Sequence, residues 1–352
     1  MKLEDLGYSA FFESNRSALG LEGFEVARVI AEYREAYRVK NITNEYLAKI
    51  SGRQMFNAES REDYPCVGDW VAITPRNTEE AVIHKLLPRQ TILRRKYSNK
   101  SGAQVIGANI DVSFIIESVD KDYNLNRFER YFTMVNEGNI KPVIVLNKID
   151  LITEAELDLK ISQLKTRFAD INVIPISAKT NLGLGGLMAY IESGKTYCFL
   201  GSSGVGKSSL INKLLGTDNI KTDTINLITG GGKHTTASRK MYFLGNGGMV
   251  IDNPGMKEVG MTDATAGIDS AFEEISALSE KCKYKDCSHT NEKGCAVLET
   301  LKSGGLDRDK YSNYTRLKKE AEYYSMTELE KRRKDRKFGR FIKKAQQQLK
   351  GK

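Results

Sequence analysis

Gly201-Ser202-Ser203-Gly204-Val205-Gly206-Lys207-Ser208 fits the pattern GxxxxGK[ST]. The apolar run Tyr197 to Leu200 precedes it, and a helical pattern from Lys207 to Leu215 follows. A strand, a glycine-rich turn and a helix in that order form a phosphate-binding loop. The glycines let backbone N–H groups converge on phosphate oxygens without Cβ clashes, and the helix N-terminus adds partial positive charge. Lys207 is placed to reach the β- and γ-phosphates, and the Ser208 hydroxyl to ligate magnesium, with Ser209 beside it.

Outward from this loop, buried-strand and helix patterns alternate. Strands are expected at Ile110–Ile116, Pro142–Leu146, Val173–Ile176 and Met249–Ile251, and helices at Asn126–Glu137 and Glu154–Phe168. That alternation implies a parallel α/β sheet. Asn147-Lys148-Ile149-Asp150 follows one strand and reads as NKxD. Beside a phosphate loop it selects guanine. The Asp150 carboxylate accepts from guanine N1–H and the exocyclic amine, whereas adenine N1 leaves it unpaired. Lys148 lies along the base and Asn147 braces the loop. In Ser177-Ala178-Lys179 the Ala178 N–H is the candidate donor to guanine O6. Asp252-Asn253-Pro254-Gly255 fits DxxG, so Asp252 holds magnesium through water and the Gly255 N–H senses the γ-phosphate. In Gly230-Gly231-Gly232-Lys233-His234-Thr235-Thr236, either Thr235 or Thr236 completes the magnesium shell. Met256 stands where Ras-like enzymes carry a glutamine that orients water, so slow intrinsic hydrolysis is expected. His234 is the local candidate for that task, the alternative being a histidine that only packs.

The motifs stand in an unusual order. NKxD and SAK precede the phosphate loop, and the threonine switch and DxxG follow it. This is a circular permutation, and it attaches whatever lies downstream directly to the Gly255 switch. Downstream comes Cys282-x4-Cys287-x-His289-x5-Cys295, three thiolates and an imidazole at spacings that suit one closed tetrahedral zinc site. The other cysteines, Cys66 and Cys198, read as packing residues. Upstream, short β-type segments at Val26–Ile30, Ala36–Lys40, Tyr46–Ile50 and Val67–Ile73 suggest a small barrel.

The 352 residues carry a net charge of +9. From Lys331 to Lys352 there are eleven basic residues against one acidic, Asp335, so the remaining body is close to neutral. A local electrostatic contact is implied, not a nucleic-acid coat over the whole surface. No stretch reaches the ~20 apolar residues that span a bilayer, and the acidic N-terminus Met1-Lys2-Leu3-Glu4-Asp5 lacks a signal-peptide core. The five cysteines, few and odd in number, argue against a disulfide framework, and a reducing cytoplasm is expected.

The permuted order, the His-Thr-Thr switch and the Cys-x4-Cys-x-His-x5-Cys knuckle together resemble the RsgA family, also called YjeQ or EngC. Val67-Gly68-Asp69-Trp70-Val71 and Ala108-Asn109-Ile110-Asp111 resemble family stretches as well. The resemblance covers about residues 22 to 325. It implies a multidomain α/β protein: an arm over 1–21, an OB-fold over 22–104, a circularly permuted GTPase domain over 105–262, a helical zinc domain over 263–325 and a basic tail over 326–352. It implies GTP/GDP, Mg2+ and one Zn2+ as ligands. It also implies hydrolysis of GTP late in small ribosomal subunit assembly, stimulated by the subunit. The partners it implies are that subunit and its rRNA, with no membrane, and a monomer is expected. Two other functions remain open at this point: a nucleotide-gated RNA-binding factor, and a GTPase serving another RNA such as a tRNA. Two residues depart from the family pattern, Asn253 in place of threonine and Lys233 in place of arginine.

Overall fold

The computed structural model describes residues 1–96, 103–120, 123–216, 239–252, 265–327, 329–334, 336, 339–340 and 342. The chain divides into two compact units, Met1–Gly260 and Met261–Lys352. The expected boundaries at 21 and 104 both fall inside the first.

Five strands open the first unit: β1 (Glu25–Glu32), β2 (Tyr37–Lys40), β3 (Glu45–Ile50), β4 (Trp70–Pro75) and β5 (Glu80–Leu86). β1 pairs with β2, β2 with β3, β3 with β5, β5 with β4, and β4 returns to β1. The ring is therefore a closed barrel, which leaves no free edge among these strands. Ala27, Val29, Val39, Ala48, Val71, Ile73 and Ile83 fill it at full burial. The opposite faces of β1 and β4 are buried too. A 3-10 turn, Glu4–Leu6, and a helix, Ala10–Ala18, set Leu6, Tyr8 and Phe12 against Val26, Trp70 and Ala72. The ring of Tyr8 meets Trp70 edge-on, with centroids 4.7 Å apart. Residues 1–20 show no clear periodicity in the sequence, yet they form part of this core.

Two strands form a separate hairpin, β6 (Ile92–Lys96) with β7 (Ala103–Ala108). The expected strand Ile110–Ile116 is instead β8 (Val112–Ser118). Asn109, with φ of 52°, turns the chain between β7 and β8. Then come β9 (Lys141–Asn147), β10 (Val173–Pro175), β11 (Thr196–Leu200), β12 (Lys240–Phe243) and β13 (Met249–Asp252). Their order is β10-β9-β8-β11-β13-β12, parallel except for β12, which runs antiparallel to β13 and pairs on its other side with β1. Phe114, Ile116, Val143, Val145, Leu187, Leu210 and Val250 are buried between sheet and helices.

The two stretches around Gly68 and Asn109 meet at the joint between barrel and sheet. The expected strand Val67–Ile73 begins only at Trp70, because Val67, Gly68 and Asp69 form this joint. Ala108 N–H donates to Val67 O at 3.0 Å, and Asn109 Nδ2 donates to Gly68 O at 3.0 Å. Gly68 has φ of 97°, and a Cβ there would lie 2.0 Å from Ala108 O, so no other residue fits. The buried Arg28 guanidinium donates to the carbonyls of Leu6, Gly68 and Asn109, tying the N-terminal turn, the barrel and the sheet together. Burial pulls its pKa down to about 10, against the Asp111 and Asp69 carboxylates, which favour the charged form.

The second unit holds the helices Thr265–Ala271, Glu273–Ser279, Ala296–Lys302 and Arg308–Ser325. Phe272, Ile275, Val297, Tyr314 and Leu317 form a small core that also takes in Cys287 and Cys295. Thr327 and Glu330 make reciprocal capping bonds at the start of the helical residues 329–334, which open the basic tail.

Candidate functional site

The parallel strands share one C-terminal edge. Leu200 on β11 stands beside Ile115 on β8, Ser118 beside Asn147 on β9, and Leu146 beside Pro175 on β10. The C-terminal ends of β8, β9, β10, β11 and β13 therefore lie on the same side. Chain order runs away from β8 in one direction and resumes with β11 on its other flank. Ligands of open α/β sheets bind at such a switch point, and the loop 201–208 sits on it.

In that loop Gly201, Gly204 and Gly206 have φ of 150°, 84° and 99°. A Cβ on Gly206 would lie 2.3 Å from Asn147 Nδ2, and one on Gly201 would lie 2.2 Å from Ile116 O. The helix Lys207–Leu215 begins directly after Gly206. Lys207 Nζ lies 2.8 Å from Gly201 O and 2.7 Å from Ser202 O, so the ammonium stands over its own loop. The Tyr131 phenol, on the helix Leu125–Glu137, lies near enough to the Ser202 side chain to interact with it. Burial raises the pKa of the phenol, and that interaction opposes the rise. No motif in the sequence marks Tyr131.

Asn147 joins three motifs. Its Nδ2 donates to Val205 O at 2.7 Å, and its Oδ1 accepts from Lys148 N at 2.8 Å and from Ala178 N at 3.0 Å. The Ala178 N–H expected at guanine O6 is thus engaged by Asn147, and a bond to the base would be shared with that carbonyl. Ser177 Oγ donates to Asp150 Oδ1 at 2.6 Å and accepts from Thr180 N at 3.1 Å. This fixes Asp150 through one of its two oxygens. Lys148 adopts φ of 64° and pairs with Asp120 at 2.9 Å, and Ser118 Oγ bonds the other oxygen of Asp120 at 2.8 Å. Asp120 is a second residue that the sequence reading missed, since it belongs to no motif and is recognisable only by its contact. Lys179 carries no resolved contact of its own.

Asp252 ends β13, one residue past the pairing of Ile251 with Cys198 on β11. Burial pushes its carboxyl up, and the nearby Lys207 charge pulls it back. Ser208 and Asp252 offer a hydroxyl and a carboxylate at this edge, the hard oxygen donors that magnesium takes. Lys233, His234, Thr235, Thr236, Asn253, Gly255 and Met256 lie outside the described residues.

In the second unit the ligand atoms of Cys282, Cys287, His289 and Cys295 all lie within 4.8 Å of one another. Cys282 Sγ is 3.6 Å from His289 Nδ1 and 3.9 Å from Cys295 Sγ, and Cys295 Sγ is 3.5 Å from that same nitrogen. Tetrahedral zinc with ordinary Zn–S and Zn–N bonds requires S···S of about 3.8 Å and S···N of about 3.5 Å. The donor set and its spacing both fit, with Nδ1 as the ligating nitrogen. His289 takes φ of 58°, and Tyr311 OH donates to its carbonyl at 2.6 Å, which fixes the turn. Burial and the nearby Lys318 charge lower the imidazole pKa, favouring the neutral form that ligates.

A sequence model of the RsgA GTPase family matches residues 86–262. "Small ribosomal subunit biogenesis GTPase RsgA 2" of Lactiplantibacillus plantarum is 37% identical over 89% of this chain and 89% of its own length.

The chain belongs to the RsgA GTPase family.

"Small ribosomal subunit biogenesis GTPase RsgA" of the archaeon Methanosarcina acetivorans is 42% identical over 74% of this chain and 71% of its own. Among solved structures, YjeQ from Thermotoga maritima superposes with a TM-score of 0.62 at 24% identity, covering 86% of this chain and 99% of that one. YloQ, described as a circularly permuted GTPase, gives 0.61 at 21% identity over 86% and 97%. These two establish the shared fold. Membership in the RsgA family makes the chain a GTPase. Among the described residues no helix is long and apolar enough to cross a membrane.

Proposed function

We propose that this chain hydrolyses GTP while bound to the small ribosomal subunit during its maturation; its relatives are named small ribosomal subunit biogenesis GTPases. The observation that carries the nucleotide half of this reading is the Asn147 side chain, which ties the loop 201–208, Lys148 and Ala178 into one edge. Around that edge, Gly201 to Ser209 surround the phosphates with N–H donors and Lys207 neutralises them. Asp150, aimed by Ser177, reads the guanine edge, with Lys148, Ala178 and Lys179 flanking the base. Ser208, Asp252 and Thr235 or Thr236 are the residues to hold magnesium, which supplies charge neutralisation of the β- and γ-phosphates. Gly255 senses the γ-phosphate, and His234 orients water in place of the glutamine that Met256 replaces. Zinc at Cys282, Cys287, His289 and Cys295 staples the second unit.

The partner half rests on the relatives' names and on the barrel and basic tail, both suited to RNA phosphates. Co-sedimentation with purified small subunits, large subunits and tRNA, in the presence of a non-hydrolysable GTP analogue, tests it. Retention on small subunits is expected. Preferential retention on tRNA or large subunits overturns the assignment.

A further inference from the structure

An open cavity of about 560 Å³ lies on the barrel, bounded by the β1–β2 turn, the loop before β4, and β7. Tyr33, Arg34, Arg61 and Tyr64 line it, with Glu32 and Arg239 also in its wall. In the sequence Arg239 stands three residues after Thr236, the last of the His234-Thr235-Thr236 stretch, and just before β12. Its Nη1 donates to Glu32 Oε2 at 3.1 Å and to Val105 O at 3.1 Å, and Glu32 N–H donates to Arg239 O at 3.3 Å. The adjoining pair continues the connection. Ala31 of the barrel pairs with Lys240, and Lys240 pairs with Asp252. A barrel strand, the first residue of β12 and the carboxylate-bearing end of β13 therefore occupy one row of a continuous sheet.

We propose that Arg239 and Glu32 are positioning residues for GTP hydrolysis. Their ion pair holds the start of β12 in register with Asp252, and through the cavity wall it links contact at the barrel to turnover. The inference rests on the GTPase reading and deepens it by naming the route. One guanidinium nitrogen shared between a carboxylate and a carbonyl fixes direction as well as distance, through a charge-assisted bond. A phosphodiester bound by Arg34 and Arg61 would lie against the same pair.

The test is a double-mutant cycle on the full chain: Arg239→Ala, Glu32→Gln and both together, with Arg239→Lys as the conservative variant. Single-turnover GTP hydrolysis is measured with small subunits at saturating protein, alongside GDP affinity and melting temperature. Each single change is expected to slow hydrolysis about fivefold or more, while GDP affinity changes less than about twofold. The double variant should be no slower than the slower single one, and Arg239→Lys should retain more than half the rate. Rates within about twofold of the parent overturn the proposal, as do losses that multiply in the double variant or that track falling GDP affinity and melting temperature. If the parent chain shows no response to subunits, the proposed function falls. The pair is then judged by the same cycle on hydrolysis without subunits.

Discussion

At the scale of single residues, the proposed guanine selectivity rests on one carboxylate and the hydroxyl that aims it. Asp150 accepts from Ser177 Oγ at 2.6 Å through Oδ1, and its other oxygen is the one proposed to meet the base. Asp150→Asn exchanges an acceptor for a donor at a site built to accept, so GTP affinity is expected to fall about 10²- to 10⁴-fold. Xanthosine triphosphate, with a carbonyl where guanine carries its amine, should bind the variant better than GTP does. Competition against labelled GDP measures both, and unchanged guanine preference would contradict the assignment. The residues named by motif spacing (Gly201, Gly206, Lys207, Asn147, Asp150, Ser177 and Asp252) were legible because each sits at a fixed offset from a strand end. Tyr131 and Asp120 were not, because a contact from a neighbouring helix or an ion pair across a loop leaves no periodic trace in the sequence. The Ala178 N–H shows the limit of the reading: the motif names the donor, and the structure adds a competing acceptor in Asn147.

At the scale of elements, the parallel strands were readable as apolar runs because both of their faces are buried. The N-terminal segment was harder to recognise. Its buried residues Leu6, Tyr8 and Phe12 are spread over a 3-10 turn, a loop and a helix, so no single period marks them. Phe12, 2% exposed against Trp70, should nevertheless contribute substantially to stability. Phe12→Ala is expected to cost about 3 kcal/mol in urea unfolding of the full chain. A loss under about 0.5 kcal/mol, the usual range of surface changes, would show that the segment is not an integral part of the barrel. The metal knuckle is the opposite case, fully legible from spacing, since four ligands within a short segment leave few alternatives. One zinc per chain is expected, and a strong chelator should release it with loss of helical signal from the second unit while guanine nucleotide binding persists. Retention of that helical signal after metal removal would contradict a stapling role.

At the scale of the whole molecule, the net charge of +9 is concentrated at one end of the chain, with eleven basic residues from Lys331 to Lys352 following a capped helix start at Thr327. A chain ending at Glu330 should bind small subunits more weakly at moderate salt, with a shallower dependence of log affinity on log salt. An unchanged slope would remove the tail from the RNA contact. The barrel was foreseeable from short strand-like segments, the permuted sheet from motif order and the knuckle from ligand spacing. The joint at Arg28, Gly68 and Asn109 was not, because it is made of backbone carbonyls brought together from distant parts of the chain.

The central claim is that hydrolysis at this guanine site depends on the small subunit. Single-turnover GTP hydrolysis by the full chain, measured against rising concentrations of purified small subunits, tests it most directly. The account predicts slow hydrolysis alone, as Met256 implies, and a saturable rise of at least tenfold with small subunits but not with large ones. A rate that is the same with and without small subunits would contradict it.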